Sequence, residues 1–312
     1  MKRRFFIFSA IILATSALSG CKIAASFKPI AKDQQELPTS LQAKMARLNM
    51  DKYAPILIRV FKEENRAEIW KQTKNGSYAL LTTYKICKWS GKLGPKYMEG
   101  DRQAPEGFYN ISAAQMNAHS NYYLAFNIGF PNAYDRSLGR TGSFLMVHGG
   151  CSSSGCYSMS DENIAQIYAF ARDAFLGGQR AFQFQAFPFR LTAVNMARYR
   201  NDPNYAFWKM LKVGYDYFES THIPPKINVC GKRYVFNASL KSRSPSPLKT
   251  CPSYTQTSLT SYKESYTTLT QFRLFYVPLS PSIQGPYEAS LIAQWSRRRA
   301  MGLPVPETPP SL

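Results

Sequence analysis

Residues 143–176 join a short apolar strand to a helix through a turn of small residues. The strand, residues 143–148, ends at His148, and the glycines and serines after it permit a tight turn back toward the sheet. The helix begins after Ser160, a residue type that caps helix N-termini, and its apolar residues recur at helical spacing. This unit therefore fixes a sheet edge against one face of a helix, with Cys156 in the turn between them.

Short segments rich in β-branched and aromatic residues indicate further strands. In Ala181–Phe187 strict alternation puts Phe182 and Phe184 on one face and Gln183 and Gln185 on the other, which is typical of a half-buried strand. The other strands are predicted at 56–61, 67–72, 78–84, 107–111 and 122–128. Helices are predicted at 39–48, 194–200, 205–220 and 287–300. We therefore expect a mainly β fold with α additions.

Cys156 and His148 together suggest a nucleophile and its base. A thiol attacks a carbonyl as the thiolate, and a nearby imidazole can take its proton. The small residues Ser154 and Gly155 leave backbone N–H groups accessible, and such groups can stabilise the oxyanion that forms during the attack. The pattern favours acyl transfer by a cysteine enzyme, a chemistry that needs neither a metal nor a cofactor.

The residues alone leave two other interpretations of this segment open. One is a turn with a structural disulfide and a hydrogen-bonded histidine. The other is a zinc site, which would need four ligands. The remaining histidines, His119 and His222, lie in unpatterned surroundings, so the zinc interpretation lacks obvious ligands.

Several blocks of the sequence resemble one family of enzymes. They are YKICK at 84–88, SGKLGPK at 90–96, GD at 100–101, APEGFY at 104–109, NIGFPNAYDR at 127–136, MVHG at 146–149 and GCY at 155–157. Together they resemble the L,D-transpeptidase (YkuD-like) cysteine enzymes of peptidoglycan, and among them the YafK-type branch, which includes a diaminopimelate–protein amidase. The resemblance implies a mixed β-sheet sandwich, with a helix after the catalytic cysteine and a helical and irregular C-terminal extension.

The resemblance also implies roles for individual residues. Cys156 would be the nucleophile, His148 the base, and the backbone around Gly155 and Cys156 the source of oxyanion donors. The carbonyl of Gly149 would orient the imidazole. The common family motif has a second histidine before Gly-Cys and an Arg or Asn soon after, whereas this chain has Ser154 and Tyr157. These departures fit the YafK-type branch.

Substrate binding is expected to involve residues in or beside the matching blocks, because a diaminopimelate stem peptide carries carboxylates and an amine. The predicted substrate-binding residues are Lys96, Tyr134, Asp135, Arg136, Ser154 and Tyr157. Arg140 and Arg190 are further cations in or beside these blocks. The alternative for each cation is an ordinary surface charge.

The N-terminus has the pattern of a lipoprotein signal peptide. Residues 1–20 combine a basic start, an apolar stretch too short to span a membrane comfortably and a cleavage box before Cys21. We predict a periplasmic protein, lipid-anchored to the outer membrane through Cys21; ordinary secretion is the alternative. Residues 21–52 are predicted to form a tether.

Disulfides are expected in an oxidising periplasm. With Cys21 lipidated and Cys156 as the nucleophile, the resemblance implies pairs among the remaining cysteines: Cys87 with Cys151, and Cys230 with Cys251. A transient Cys151–Cys156 bond is the alternative.

Charge and composition complete the predicted organisation. A formal net charge of +20 predicts that the protein binds anionic partners. For an exported chain these are peptidoglycan carboxylates and lipid phosphates rather than nucleic acid. We predict a catalytic domain at 53–192, a helical extension at 193–225 and a basic Ser/Thr/Pro-rich extension at 226–312, with 239–270 as loop.

Three functions remain open at this point. If water accepts the acyl group, the chain is an amidase that releases lipoprotein from peptidoglycan; if a peptide amine does, it is an L,D-transpeptidase. The third is a lipid-anchored peptidoglycan-binding protein without turnover. The expected partners are peptidoglycan stem peptides, a peptidoglycan-linked outer-membrane lipoprotein and the membrane itself.

Overall fold

The computed structural model describes residues 30–240, 245–252, 254–256, 297–298, 301 and 303. The predicted signal peptide, Cys21 and most of the predicted 287–300 helix lie outside the described residues. The described residues from Ala31 onward belong to one compact unit by their contacts. Within the described residues, no helix combines the length and the apolar character that crossing a membrane requires.

The described chain alternates strands and helices. The helices are α1 (Thr39–Arg47), α2 (Ala133–Ser137), α3 (Asp161–Leu176), α4 (Ala193–Arg198) and α5 (Tyr205–Thr221), with short 3₁₀ turns at Lys32–Gln34 and Ala113–Gln115. The strands are β1 (Ile56–Phe61), β2 (Arg66–Gln72), β3 (Tyr78–Lys85), β4 (Lys88–Trp89), β5 (Gly107–Ser112), β6 (Met116–Asn117), β7 (Ala125–Asn127), β8 (Met146–His148), β9 (Tyr157–Ser158), β10 (Ala181–Phe187), β11 (Ile227–Cys230), β12 (Arg233–Phe236), β13 (Ala238–Leu240) and β14 (Tyr254–Gln256).

Two mixed sheets form the centre of the fold. The first has five strands in the order β3-β2-β1-β10-β5, with β1 and β10 parallel and the other neighbours antiparallel. The second has five short strands in the order β4-β9-β8-β7-β6, with only β8 and β9 parallel. The mixed-sheet, sandwich-like fold class predicted from the sequence is confirmed.

The first sheet is covered on both faces. One face packs into a core that includes Phe184 of β10 and Ile164 of α3. The other face packs into a second core, in which Phe187 packs against Tyr215 of α5. The prediction that β10 is half-buried is therefore wrong for its C-terminal half: Gln185 is buried as well, because the later helices cover this face.

The structure corrects the extent of the predicted tether. From the 3₁₀ turn at Lys32–Gln34 onward the chain packs against the folded unit, and Leu37, Met45 and Met50 are buried in the first core. Arg172 of α3 donates hydrogen bonds to the backbone carbonyls of Asp33, inside this turn, and of Gln35, just after it. A few apolar residues are enough to dock α1 on the folded unit. The segment as a whole is polar, and its composition therefore predicted a tether.

The predicted boundaries at 192 and 225 do not separate independent cores. Helices α4 and α5 and the β11–β12 hairpin share the second core with Phe61 and Phe108 of the first sheet. Strands β13 and β14 pair with each other inside the region predicted to be loop. The disulfide Cys230–Cys251 ties β11 to the segment before β14.

Candidate active site

The parallel pair β8–β9, inside the second sheet, brings Cys156 and His148 close together. Val147 lies opposite Tyr157 in this pair, so Cys156 lies beside Met146, whose backbone N–H donates to Cys156 Sγ at 3.4 Å. Side chains alternate along a strand, so His148 and Met146 face the same side. His148 and Cys156 line one small cavity together with Tyr122 and Phe144.

The imidazole of His148 is held in one orientation. Its Nδ1 lies 2.6 Å from the Gly149 carbonyl oxygen, and because a carbonyl only accepts, Nδ1 carries the proton. Nε2 is then the basic nitrogen; it is buried and bonds to no other described residue. The Gly149 N–H donates to the Tyr122 carbonyl at 3.0 Å, and the Tyr122 ring packs 4.9 Å from the His148 ring.

Cys156 is the only cysteine among the described residues that is in no disulfide. Its side chain is buried, with 5% of the residue exposed, and its Sγ lies 3.8 Å from the Phe144 carbonyl oxygen. The cavity that it shares with His148 has a volume of about 10 Å³. That volume holds about one water molecule, so the cavity must widen before a substrate carbonyl can reach the sulfur.

Hydrogen bonds hold the turn that carries Cys156. The Ser153 hydroxyl donates to the Cys156 carbonyl at 2.6 Å, and the Gly155 N–H donates to Ser90 Oγ. Gly155 has a φ of +109°, a conformation that favours glycine. The Gly155 N–H, expected as an oxyanion donor, is therefore bonded to Ser90. Ser90 lies in one of the matching blocks, but no sequence pattern predicts its contact with Gly155.

A buried ion pair fixes the loop between β4 and β5, which contains Ser90. Lys62 and Glu106 form this pair, and Trp208 Nε1 donates to the second Glu106 oxygen at 2.8 Å. Burial lowers the pKa of Lys62, and the neighbouring Glu106 carboxylate opposes the shift. Next to Glu106, the Tyr157 hydroxyl donates to the Pro105 carbonyl at 2.6 Å. This end of the loop is thus anchored to the residue that follows Cys156.

The structure contains the two disulfides that the resemblance implies. Cys87–Cys151 has a Cα–Cα distance of 5.1 Å and ties the turn after His148 to the segment between β3 and β4. The same turn is held by Asp161 at the start of α3, whose carboxylate accepts the Gly150 N–H at 2.9 Å. The alternative Cys151–Cys156 bond is not formed.

The predicted substrate-binding residues divide into buried and exposed groups. Lys96 forms an ion pair with Asp101, and Asp135 forms one with Arg140 at 2.8 Å. Burial raises the pKa of Asp135, while the Arg140 hydrogen bond lowers it. Tyr134 stacks on Tyr234 with ring centroids 4.5 Å apart.

Three of the predicted residues thus make contacts within the fold. Ser154 and Tyr157 are also buried, and Arg190 forms ion pairs with Glu64 and Glu68. Arg136 alone among the six predicted residues is exposed. Blocks that resemble a family include residues that shape the fold as well as residues that bind, and the sequence cannot separate the two.

The described residues contain no group of three or more His, Cys, Asp and Glu side chains that could hold a metal ion. His119 and His222 do not line the cavity of His148 and Cys156.

Comparison with known proteins gives a strong sequence match to proteins of one name. No protein-family model matches the chain. "Putative L,D-transpeptidase YafK" of Escherichia coli strain K12 is 47% identical over 188 residues, which cover 60% of this chain and 76% of the relative. The protein of the same name from Escherichia coli O157:H7 matches to the same extent.

Solved structures give weaker likenesses. The helical cell shape determining protein Pgp2 of Campylobacter jejuni is 16% identical, with a TM-score of 0.35 over 61% of this chain and 80% of that chain. Bd1075 of Bdellovibrio bacteriovorus is 15% identical, with a TM-score of 0.33 over 68% of this chain and 97% of that chain. TM-scores this low do not establish a shared fold.

The sequence match is long enough to assign the family, since it covers about three quarters of the relative at 47% identity. The chain belongs to the YafK-type L,D-transpeptidase family.

Proposed function

We propose that this chain is an exported cysteine enzyme of peptidoglycan remodelling, which transfers acyl groups through a thioester on Cys156. Its substrates are diaminopimelate-containing stem peptides or proteins joined to them. Membership of the L,D-transpeptidase family supports the reaction class. The shared cavity of Cys156 and His148 supports the mechanism.

One observation carries the proposal: the His148 ring is fixed so that its basic nitrogen is available. The Gly149 carbonyl holds Nδ1–H at 2.6 Å, and Nε2 bonds to no described residue. A base without a competing donor can take the Cys156 proton, and a positioned base of this kind contributes roughly 10²–10⁴ in rate. The Met146 N–H, 3.4 Å from Sγ, stabilises the resulting thiolate.

The proposed reaction has two halves. His148 Nε2 takes the thiol proton, the thiolate attacks the carbonyl carbon, and the C–N bond breaks as His148 returns the proton to the leaving amine. In the second half, an acceptor O–H or N–H loses its proton to His148, attacks the thioester and releases Cys156. The Gly155 N–H can stabilise the oxyanion only after it leaves Ser90 Oγ.

We favour water as the acceptor, which makes the enzyme an amidase that releases protein from peptidoglycan. Ser154 and Tyr157 occupy the positions where the common family motif has polar acceptor-side residues. Both side chains are buried, and the Tyr157 hydroxyl is bonded to Pro105. Cross-linking would require exposed side chains at these positions to bind a second peptide. Because both side chains are buried, they do not offer such a contact.

The compartment forms part of the proposal. Export to the periplasm and attachment to the outer membrane through lipidated Cys21 would bring the enzyme to peptidoglycan and its linked lipoproteins. Mass spectrometry of the mature N-terminus tests this: a diacylglyceryl adduct on Cys21 is expected, and a mature chain that starts elsewhere would exclude the anchor. Cys21→Ala should move the protein to the soluble periplasmic fraction.

The second candidate is a lipid-anchored peptidoglycan-binding protein without turnover. The observation that favours it is the volume of about 10 Å³ around Cys156, which admits no substrate without rearrangement. Such a protein would bind peptidoglycan equally well as the wild type and as Cys156→Ser.

A single experiment separates the three possibilities. The purified protein without its signal peptide is incubated, beside Cys156→Ala, with peptidoglycan that carries both attached lipoprotein and free tetrapeptide stems. Products are identified by mass spectrometry. Release of lipoprotein by the wild type alone supports the amidase, and new cross-links or exchanged terminal residues support the transpeptidase. No product from either protein, together with retained binding, supports the binding protein.

A further inference from the structure

A second cavity lies at the junction of the first sheet and the β11–β12 hairpin. Its volume is about 400 Å³. The walls come from β5, from the segment 129–136 and from the β11–β12 hairpin, with Pro247 closing one side. This volume falls in the range of small-ligand sites, whereas the cavity at Cys156 holds about one water. Recognition of a substrate larger than the reacting group therefore needs a surface other than the Cys156 cavity.

The hairpin builds this cavity through specific contacts. The Asn132 amide donates to the Tyr234 hydroxyl at 2.6 Å and to the Phe108 carbonyl at 2.8 Å. Gly107 lies so close that a Cβ there would meet the Tyr234 hydroxyl at 2.8 Å. This wall of the cavity is thus a packed part of the fold.

The lining combines one cation, amides and apolar side chains. Arg136 is exposed, and among the described residues that line the cavity it is the only charged one. One of its N–H groups donates to the Pro131 carbonyl, and a guanidinium has five N–H donors, so several remain for a ligand. Asn110 and Asn228 add amide donors and acceptors, beside the apolar Ile227. This combination suits a ligand with a carboxylate, peptide groups and some apolar surface.

The cavity is within reach of the nucleophile. Asn127 of β7 lies opposite Met146 of β8, and Met146 lies beside Cys156. Gly129, which lines the cavity, is two residues beyond Asn127. Strand spacing of about 5 Å and an extended rise of about 3.5 Å per residue put Gly129 within about 17 Å of the Cys156 backbone. An extended peptide of about five residues covers that distance.

We infer that this cavity binds the carboxylate-bearing end of the peptide substrate, with Arg136 as the anion-binding residue. The inference rests on the proposed function, because it assigns a binding site for the peptide whose carbonyl reaches Cys156. It gives the C-terminal hairpin a role in substrate selection: the hairpin supplies one wall of the site for acidic peptides.

Binding is tested without chemistry in the Cys156→Ala background. The probe is a fluorescently labelled tetrapeptide stem joined through its diaminopimelate to a short acidic peptide, which makes it long enough to reach from Cys156 to the cavity. It is titrated and followed by fluorescence anisotropy. Arg136→Ala is expected to raise the Kd at least about tenfold, since a charge-assisted hydrogen bond is lost, and Arg136→Lys to recover part of the affinity. Arg233 lies beside Tyr234 but lines a different cavity, of about 610 Å³, so Arg233→Ala is the matched control and should leave the Kd unchanged.

A second probe and an activity measurement complete the test. The same peptide with amidated carboxylates should bind weakly to the parent and show no further loss in Arg136→Ala. An unchanged Kd in Arg136→Ala, an equal loss in Arg233→Ala, or no binding to any variant would overturn the inference. Arg136-dependent binding without turnover by the Cys156 enzyme would reject only the proposed function. Turnover with unchanged Kd and KM in Arg136→Ala would reject only the cavity.

Discussion

The Lys62 ammonium lies 3.0 Å from the Glu106 carboxylate, and both side chains are completely buried. The ammonium also donates to the Gly94 carbonyl at 3.0 Å, and Glu106 accepts the Gly94 N–H at 2.7 Å. Two charges far from solvent are tolerable only when their hydrogen-bonding capacity is met, and here backbone groups of one loop meet it. The pair therefore fixes the path of the loop between β4 and β5, which contains Ser90.

Glu106→Gln removes the charge and keeps the shape of the side chain. We expect a loss of about 3–5 kcal/mol in the free energy of unfolding, because Lys62 is left buried without a counter-charge. Glu36→Gln is the control; it breaks an exposed ion pair with Lys52 and should cost less than about 1 kcal/mol. Urea unfolding of the three proteins measures both. Equal losses in the two variants would contradict the role given to the buried pair.

His148→Gln should slow the reaction of Cys156 with a small alkylating reagent at neutral pH. The expected reduction is roughly 10²-fold or more, because the base that takes the thiol proton is lost. The second-order rate constant for alkylation, followed by mass spectrometry of the Cys156 peptide, measures this effect. His119→Gln removes an exposed histidine outside the cavity and is the control. A thiol that alkylates equally fast in His148→Gln would exclude His148 as the base.

The Cys87–Cys151 disulfide is predicted to matter for activity, and Cys230–Cys251 mainly for stability. Cys151 lies in the turn between His148 and Cys156, whereas the second bond lies in the C-terminal hairpin region. Cys87→Ala with Cys151→Ala should lower kcat at least about tenfold, because misplacing a catalytic group by about 1 Å can cost about 10²-fold.

Both disulfide removals should lower the free energy of unfolding by about 2–4 kcal/mol. The loss should be larger by about 1 kcal/mol for Cys87–Cys151, since it closes a loop of 64 residues against 21. Thermal unfolding and steady-state kinetics on the two double variants separate the effects. A double variant without Cys87 and Cys151 that retains full kcat would show that the turn does not need the bond.

Lys71 gives a prediction for pH. Burial lowers the pKa of Lys71 to about 8, from an ordinary value near 10.5. Its ammonium donates to the Lys52 and Ala54 carbonyls at 3.0 and 2.6 Å. Between pH 8 and 10.5 the folded protein has released a proton that the unfolded chain still binds, so this group makes stability rise with pH across that window.

The measurement compares the wild type with Lys71→Met by urea unfolding at pH 7.5 and pH 9.5. The difference in unfolding free energy between the two proteins should shift in favour of the wild type at the higher pH. A difference that stays constant would mean that the Lys71 pKa is not lowered. The use of a difference cancels the titration of tyrosines and other lysines, which both proteins share.

Local pattern predicted the regular elements well where side-chain periodicity sets them. The strands Ile56–Phe61 and Ala181–Phe187 and the helix capped by Ser160 lie where the sequence places them. The strands predicted at 122–128 and 143–148 are shorter in the structure. Tyr123 and Phe144 have φ values of +66° and +55°, which interrupt a strand, and bulky residues give no sequence signal for such a conformation.

The proximity of His148 and Cys156 was predictable because the proposed chemistry needs these residue types, and the structure places both in one cavity. Their catalytic roles stay a prediction. The support of this pair was less predictable. Lys62 and Glu106 are charged residues that composition assigns to the surface, and their burial depends on α5, which supplies Trp208. The hydrogen bond between Trp208 and Glu106 joins residues 102 positions apart in sequence, and such a contact has no local sequence pattern.

The burial of Cys156 has a chemical consequence in an oxidising compartment. A cysteine activated by an adjacent base is also the one most open to oxidation to sulfenic and sulfinic acid, or to capture by small disulfides. With only 5% of the residue exposed and a cavity of about 10 Å³ in front of it, the sulfur is screened from such reagents. In the proposed mechanism the closed state preserves the nucleophile between encounters with peptide, and Cys156 is exposed only while the cavity is widened.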